Sequence, residues 1–131
     1  MSVTARSGTV TLTITGLDRL GAEWAAIADA AAADELGRAA TGILDAAEAA
    51  WPVRTGASRD ALGRGEVVRR GHVAAVEVVD AIGYGTEVPY RPAGDGALAW
   101  EVLVTEPLEA LEAGPFAAAV VAALRSRGGA R

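Results

Sequence analysis

The stretch WPVRTGASRDAL, residues 51–62, decides how the chain is organised, because it halts an alanine-rich helical pattern and restarts it in another direction. Pro52 disfavours helical backbone at Trp51 and has no N–H group to donate. Thr55 is then placed to cap a short helical turn over residues 56–62. We interpret the following residues as a structural joint: Trp51, Pro52, Val53, Thr55 and Gly56. On the residues alone, an ordinary helix–loop–helix connection accounts for the same stretch.

Upstream of the joint, apolar residues recur every three or four positions, which predicts helix. The stripe comprises Leu17, Leu20, Trp24, Ile27, Ala31, Leu36, Ala40, Ile43, Ala47 and Ala50. Its phase slips near residues 33–35, so we expect two consecutive helices or one bent helix. Gly37 and Gly42 each lower helix propensity by about 1 kcal/mol relative to alanine, and we expect another element to pack closely there.

The segment TVTLTIT, residues 9–15, alternates strictly between threonine and aliphatic residues, which predicts a half-buried β-strand. Val10, Leu12 and Ile14 form its core face. We expect the threonine face to be wet, or the exposed edge of this strand to pair with another chain, because edge strands pair readily. It supplies three candidates for a subunit interface: Thr9, Thr11 and Thr13.

Downstream of the joint, two apolar runs flank residues 70–72, which predicts a β-hairpin with Gly71 in an unusual backbone conformation. The second run has one face better suited to the core: Ala74, Val76 and Val78. A turn-rich loop should follow, with a short strand near residues 81–84. Residues 100–105 alternate as a strand would, and a helix is expected over residues 108–113.

The final segment begins at Gly114-Pro115, where proline suits the first turn of a helix. Its apolar stripe is Phe116, Val120, Val121 and Leu124. The whole order predicts a single α+β domain over residues 1–131: an N-terminal strand, a long or bent alanine-rich helix, a small antiparallel β-sheet and a C-terminal helix.

Composition excludes several classes of function. The net charge is −5 and every basic residue is arginine, so tight binding of DNA phosphates is disfavoured. The absence of cysteine removes disulfides, thiolate nucleophiles and cysteine metal sites. No run of eighteen apolar residues and no signal-peptide pattern occurs, so we expect a soluble protein without a membrane span. The three tryptophans, Trp24, Trp51 and Trp100, are expected to be core or interface anchors.

No constellation of residues points to catalysis. The single histidine, His72, lies in a predicted turn and is interpreted as a surface residue. Ser58 lacks the strand–elbow–helix context of a hydrolase nucleophile. The segment GYGTEVPY, residues 83–90, matches neither common glycine-rich phosphate motif. We therefore predict no catalytic, cofactor-binding or metal-binding residue, and no cofactor.

Several pieces of the chain together resemble a known family, among them G-L-D-R-L at residues 16–20, after the N-terminal strand, and Pro115-Phe116 at the start of the final helix. A helical stretch ends in W-P-V-R-T-G, residues 51–56, and S-R-D-A-L follows at residues 58–62. An aromatic-glycine-threonine element stands at Tyr84, Gly85 and Thr86, after a valine-rich hairpin. The chain is similar in these features to the tail-completion or neck proteins of long-tailed bacteriophages, the family named after gene product ten of phage Hong Kong 97.

The resemblance implies a non-enzymatic virion protein at the head–tail junction, made in the cytoplasm of the bacterial host. Copies would form a ring, expected to be a hexamer, between the capsid connector or stopper and the tail terminator or tube. Double-stranded DNA would pass through the lumen without sequence-specific binding. Tyr84, Gly85 and Thr86 join the threonines as candidate interface residues.

Two other functions stay open. The chain fits a tail terminator or another tail-tube ring protein, since these have a similar α+β composition. It also fits a small cytoplasmic regulatory or ligand-binding domain that has no place in a virion.

Overall fold

A five-stranded antiparallel sheet forms one layer of the protein. The computed structural model describes residues 2–6, 8–15, 21–52, 56–82, 84–112 and 114–129. Within them the strands are β1 (Ser2–Arg6), β2 (Thr9–Thr13), β3 (Leu62–Arg64), β4 (Val68–Arg70) and β5 (Val73–Asp80). Their order is β1–β2–β5, and β3 and β4 both pair with the far side of β5. β3 and β4 thus form one interrupted edge of the sheet.

Helices form the second layer, and the longest of them packs on the core face of the sheet. They are α1 (Ala22–Ala50), the short α2 (Ala57–Asp60), α3 (Glu106–Ala110) and α4 (Gly114–Gly129). A π-helical turn, Glu101–Thr105, leads into α3, and 3-10 turns cover Gly85–Glu87 and Arg91–Ala93. The predicted α+β class is therefore confirmed, with its long alanine-rich helix, antiparallel sheet and C-terminal helix.

Alternation within the strands sets which face is buried. Val10 and Leu12 of β2 lie opposite Val76 and Ala74 of β5, and all four side chains are buried against α1. Gly71, at φ +55°, makes the turn between β4 and β5. Both the predicted strand at residues 9–15 and the predicted hairpin are confirmed.

Periodicity does not predict β1, which pairs with β2 from Thr13 to Thr9. The expectation that β2 offers an edge to a neighbouring chain is therefore wrong, because β1 and β5 occupy both of its sides. Thr9, Thr11 and Thr13 project instead from the sheet face opposite α1, where they are half-buried.

Gly8 connects β1 to β2, and its replacement by alanine is expected to cost about 2 kcal/mol of unfolding free energy. Its φ is +80°, and an added Cβ would lie 2.7 Å from the Val78 carbonyl oxygen. Positive φ and steric overlap both penalise a side chain. Chemical denaturation of Gly8→Ala should be compared with Gly65→Ala, where no heavy atom lies within 4 Å of the added Cβ. Equal stability of the two variants would contradict the expectation.

The long helix α1 runs without a break through the region where two helices were an alternative. A wide face of small residues is buried: Ala28, Ala31, Ala32, Ala33, Leu36, Gly37, Ala40, Leu44 and Ala47. The helix stays continuous where the apolar stripe shifts phase, because consecutive alanines are small enough to pack together beneath the sheet. Trp24 lies outside this face and is 38% exposed, so it is not a core anchor, and its alternative role as an interface anchor stays a prediction.

The two helix glycines differ in their surroundings. A Cβ on Gly37 would lie 3.4 Å from Val67 Cγ2, which agrees with the expectation of close packing. At Gly42 no heavy atom from another element lies within 4 Å, so the same expectation is wrong there.

Residues 100–105 are helical, so the strand expected there is wrong. Val104 and Leu108 are buried one helical turn apart, so these apolar residues follow a helical period as well as the alternation expected of a strand. The Glu106 N–H donates to the Glu101 carbonyl, as in a π turn. This widening lies where the ring of Pro107 would clash with a preceding carbonyl in a regular α-helix.

The remaining expectations for the second half of the chain have mixed outcomes. Residues 81, 82 and 84 belong to no strand, so the short strand expected there is wrong. The helix expected over residues 108–113 is α3, which begins and ends earlier. Pro115 does stand in the first turn of α4, with Phe116 and Val120 buried, whereas Val121 is exposed and lies outside the stripe.

Candidate structural joint

The joint begins where α1 ends. Ala50 is the last helical residue, and Trp51 is extended, with φ −64° and ψ 134°. This is the conformation that Pro52 imposes on the residue before it. Only 3% of Trp51 is exposed, so the indole is a core anchor as predicted.

The restart uses Gly56. This residue has φ +84° and ψ −10° and stands as the N-cap of α2, and its carbonyl accepts the Asp60 N–H at 2.9 Å. A left-handed residue at this point turns the chain into the new helix, and glycine adopts that conformation at low cost. The predicted cap, Thr55, lies together with Val53 outside the described residues.

A buried hydrogen-bond network ties the joint to the sheet. The Trp51 indole Nε1–H donates to Ser58 Oγ at 3.1 Å, and the Ser58 hydroxyl donates to Asp80 Oδ2 at 2.9 Å. The other carboxylate oxygen, Asp80 Oδ1, accepts the Ile82 N–H at 3.0 Å. The end of α1, the helix α2 and the end of β5 are thereby held to one another.

Gly85 closes this network from the other side. The residue is buried, and an added Cβ would overlap the Asp80 carboxyl group and its Cβ. The 3-10 turn Gly85–Glu87 therefore packs directly on Asp80, and only glycine leaves enough room. Gly85 is buried within the single chain, whereas its role at a subunit interface stays a prediction. Tyr84, 48% exposed, and Thr86 remain accessible.

The reasoning from sequence missed Ser58 and Asp80 as members of the joint. Ser58 is 7% exposed, and nothing in its local sequence indicates a buried hydrogen-bond partner. A carboxylate at the end of an apolar strand was a usable signal, because a partly buried charge needs partners. Their pairing across 22 positions could not be read from local spacing.

A cleft of about 380 Å³ lies beside the joint. Its lining is Pro52, Gly56, Ser58, Tyr84, Glu87, Val88 and Pro89. The Ser58 hydroxyl proton is directed to Asp80, and no histidine side chain faces it within the described residues, since His72 pairs elsewhere. Ser58 therefore links the Trp51 indole to the Asp80 carboxylate at the edge of the cleft.

His72 lies in the exposed turn between β4 and β5, as expected. Its Nδ1 is 3.0 Å from Asp29 Oδ2 on α1, a contact that the sequence did not indicate. This pair fastens the hairpin to the helix at the end of the molecule away from the joint. Elsewhere in the described ranges, no cluster of three or more histidine or carboxylate side chains is arranged to hold a metal ion.

Replacing Ser58 with alanine is expected to lower the unfolding free energy by about 2 kcal/mol. The substitution leaves the Trp51 Nε1–H and Asp80 Oδ2 without the partner they share, and each unsatisfied buried group is costly. Thermal and denaturant unfolding should be measured beside Ser2→Ala, a change at an exposed serine. If both variants unfold like the wild type, the network does not stabilise the joint.

Comparison with protein-family models, with curated proteins and with solved structures gives no match to this chain. Among the described residues, no single helix has the length and apolar content to cross a membrane, although the bent pair formed by residues 101–110 and 114–126 meets both criteria jointly.

Proposed function

We propose that this chain is a structural subunit, and not an enzyme, at the head–tail junction of a tailed phage or phage-like particle. In this proposal identical copies form a ring, expected to be a hexamer. The ring joins the capsid connector to the tail terminator or tube and lets double-stranded DNA pass.

One observation carries the proposal: three of the sequence pieces that resemble those of neck proteins meet in space. Trp51 lies in W-P-V-R-T-G, Ser58 in S-R-D-A-L and Gly85 in the aromatic-glycine-threonine element. The Trp51 indole bonds to Ser58, and both Ser58 and Gly85 contact Asp80. Their polar atoms bond internally and leave no nucleophile. Trp51, Ser58 and Gly85 hold the backbone in one path. A subunit that repeats in a ring needs such a defined shape in every copy.

The charge of the chain supports a passage for DNA. A net charge of −5 disfavours adhesion of phosphates, and an acidic lumen would repel them. We therefore propose that DNA slides past the ring without being held. A ring with a strongly basic lumen would contradict this part of the proposal.

Two alternatives have their own predictions. A tail terminator or tube protein would form a similar ring at another position in the particle. A small cytoplasmic regulatory or ligand-binding domain is favoured by the cleft of about 380 Å³ beside the joint. Such a domain would form at most a stable dimer and would be absent from purified particles.

Deleting the gene in a strain that releases particles separates these possibilities. Loss of a junction protein should leave DNA-filled heads and complete tails unattached, as seen by electron microscopy of the lysate. Tails of irregular length would indicate a terminator. Re-expression of the wild-type chain should restore joined particles. Normal particle numbers and shapes after deletion would contradict the proposed function.

A further inference from the structure

Two surfaces at opposite sides of the sheet differ in charge: the β3–β4 edge is mainly basic, and the helical segment beside β1 is acidic, although β1 itself carries the exposed Arg6. Along the β3–β4 edge, residues 62–70 hold three arginines and a single carboxylate. We name Arg64, Arg69 and Arg70 the arginine edge, and all three side chains are exposed. Residues 101–112 hold four glutamates and no basic residue. We name Glu106, Glu109 and Glu112 the acidic edge, and these three are also exposed.

The acidic edge lies at the opposite side of the sheet from the arginine edge. α3 packs beside β1, and Glu112 Oε1 accepts the Ala5 N–H at 2.9 Å. β1 is the first strand in the sheet order, whereas β3 and β4 lie beyond β5 at the other end. The two charged surfaces therefore face in different directions across the width of the molecule.

Neither edge has its charge neutralised by the three ion pairs seen among the described residues. Those pairs join Arg38 with Glu35, Arg59 with Asp60 and His72 with Asp29. Arg64 is held by neutral acceptors instead. Its Nε donates to Thr41 Oγ1 at 3.0 Å and its Nη1 to the Gly65 carbonyl at 3.1 Å. These bonds orient the guanidinium in a groove that Arg38 and Arg69 line together with Asp34 and Asp45.

We infer that the acidic edge of one copy docks on the arginine edge of the next copy. Two different surfaces that complement each other make a head-to-tail contact, and repetition of that contact closes a ring when the rotation permits. Complementary charge steers the encounter and fixes the register. This inference rests on the proposed ring and names the surfaces that close it.

Two further features favour contact through side chains. At the outer side of β1, the Ala5 N–H is already bonded to Glu112, so this position is closed to an added strand. On β4, Val68 is 57% exposed, the most of any large apolar residue described. It offers an apolar contact between the arginines and the neighbouring copy.

Charge reversal of each edge gives a direct test. One variant carries Glu106→Arg and Glu109→Arg, and keeps Glu112 because of its bond to β1. The other carries Arg69→Glu and Arg70→Glu, and keeps Arg64 for its bonds to Thr41 and Gly65. Each variant alone should self-associate at least about tenfold more weakly than the wild type, because like charges then face each other. Sedimentation velocity over a range of concentrations and salt measures this.

Mixing the two variants distinguishes complementarity from misfolding. The first variant retains the arginine edge and the second retains the acidic edge, so an equimolar mixture should form heterodimers or larger assemblies. Matched controls are Asp95→Arg with Glu48→Arg, and Arg91→Glu with Arg125→Glu. These reverse two exposed charges away from both edges and should assemble like the wild type.

The outcomes separate this inference from the proposed function. If both variants form rings like those of the wild type, the interface lies elsewhere and the ring proposal stands. The same conclusion follows if the wild type forms rings but the two folded variants fail to associate when mixed. A wild-type chain that stays monomeric at every concentration and salt contradicts the ring and this interface together.

Discussion

Replacing Trp51 with alanine should lower the unfolding free energy by about 4 kcal/mol, the largest effect expected in this protein. Truncating a buried tryptophan leaves a cavity and removes a large apolar surface, which costs roughly 3–5 kcal/mol. Trp51 is 3% exposed and belongs to the main core. Its loss also removes the Nε1–H donor to Ser58. Urea denaturation followed by circular dichroism measures the change.

The control for this variant is Trp24→Ala, which truncates the same residue type near the start of α1. At 38% exposure this tryptophan buries less surface, and we expect a cost of about 1 kcal/mol. Trp51→Phe gives a third point. It keeps most of the ring volume and deletes the N–H, so its cost should lie between the two. A Trp51→Ala variant no less stable than Trp24→Ala would show that the joint is not anchored by the indole.

Replacing Gly85 with valine should cost about 3 kcal/mol and lower the melting temperature by roughly 10 °C. The added side chain would overlap the Asp80 carboxyl group and Cβ. Asp80 has a short side chain, so relief requires it to move and to release the Ser58 hydroxyl and the Ile82 N–H. Steric strain and lost hydrogen bonds therefore add. Differential scanning calorimetry gives the melting temperature.

Gly42→Ala is the matched control for Gly85→Val. Gly42 is exposed in the middle of α1, and no heavy atom from another element lies within 4 Å of an added Cβ. Alanine there should raise stability by about 1 kcal/mol through helix propensity. If Gly85→Val melts with the wild type, the 3-10 turn does not pack on Asp80 as described.

Periodicity predicted the elements whose burial follows one regular pattern. Val10 and Leu12 alternate with threonines in β2, and Pro52 halts α1 by a local steric rule. The hairpin at Gly71 likewise depends on the conformation of one residue. Such features are set by neighbours along the chain, so a single sequence contains them.

Other elements depend on contacts that a sequence does not display. β1 offers only Val3 and Ala5 to the core, and its strand forms because β2 lies beside it. The alternation at residues 100–105 suited a strand, yet Val104 and Leu108 bury one helical face against the core. In the joint, Ser58 and Asp80 become partners only once α2 and β5 are in place.

The joint is the part of the account that links fold to function. It fixes the end of α1 against α2, β5 and the 3-10 turn, and its polar groups are satisfied from within. Rigid local geometry of this kind lets identical copies repeat one relative orientation, which is a condition for closing a ring. In the proposed ring, the acidic edge of one copy would meet the arginine edge of the next.

Electron microscopy of the purified full chain tests this account most directly. Negative-stain class averages at high protein concentration and low salt should show closed rings of uniform diameter with a central opening. A population of monomers or compact dimers alone, at every concentration imaged, would contradict the claim that this chain is a ring-forming structural subunit.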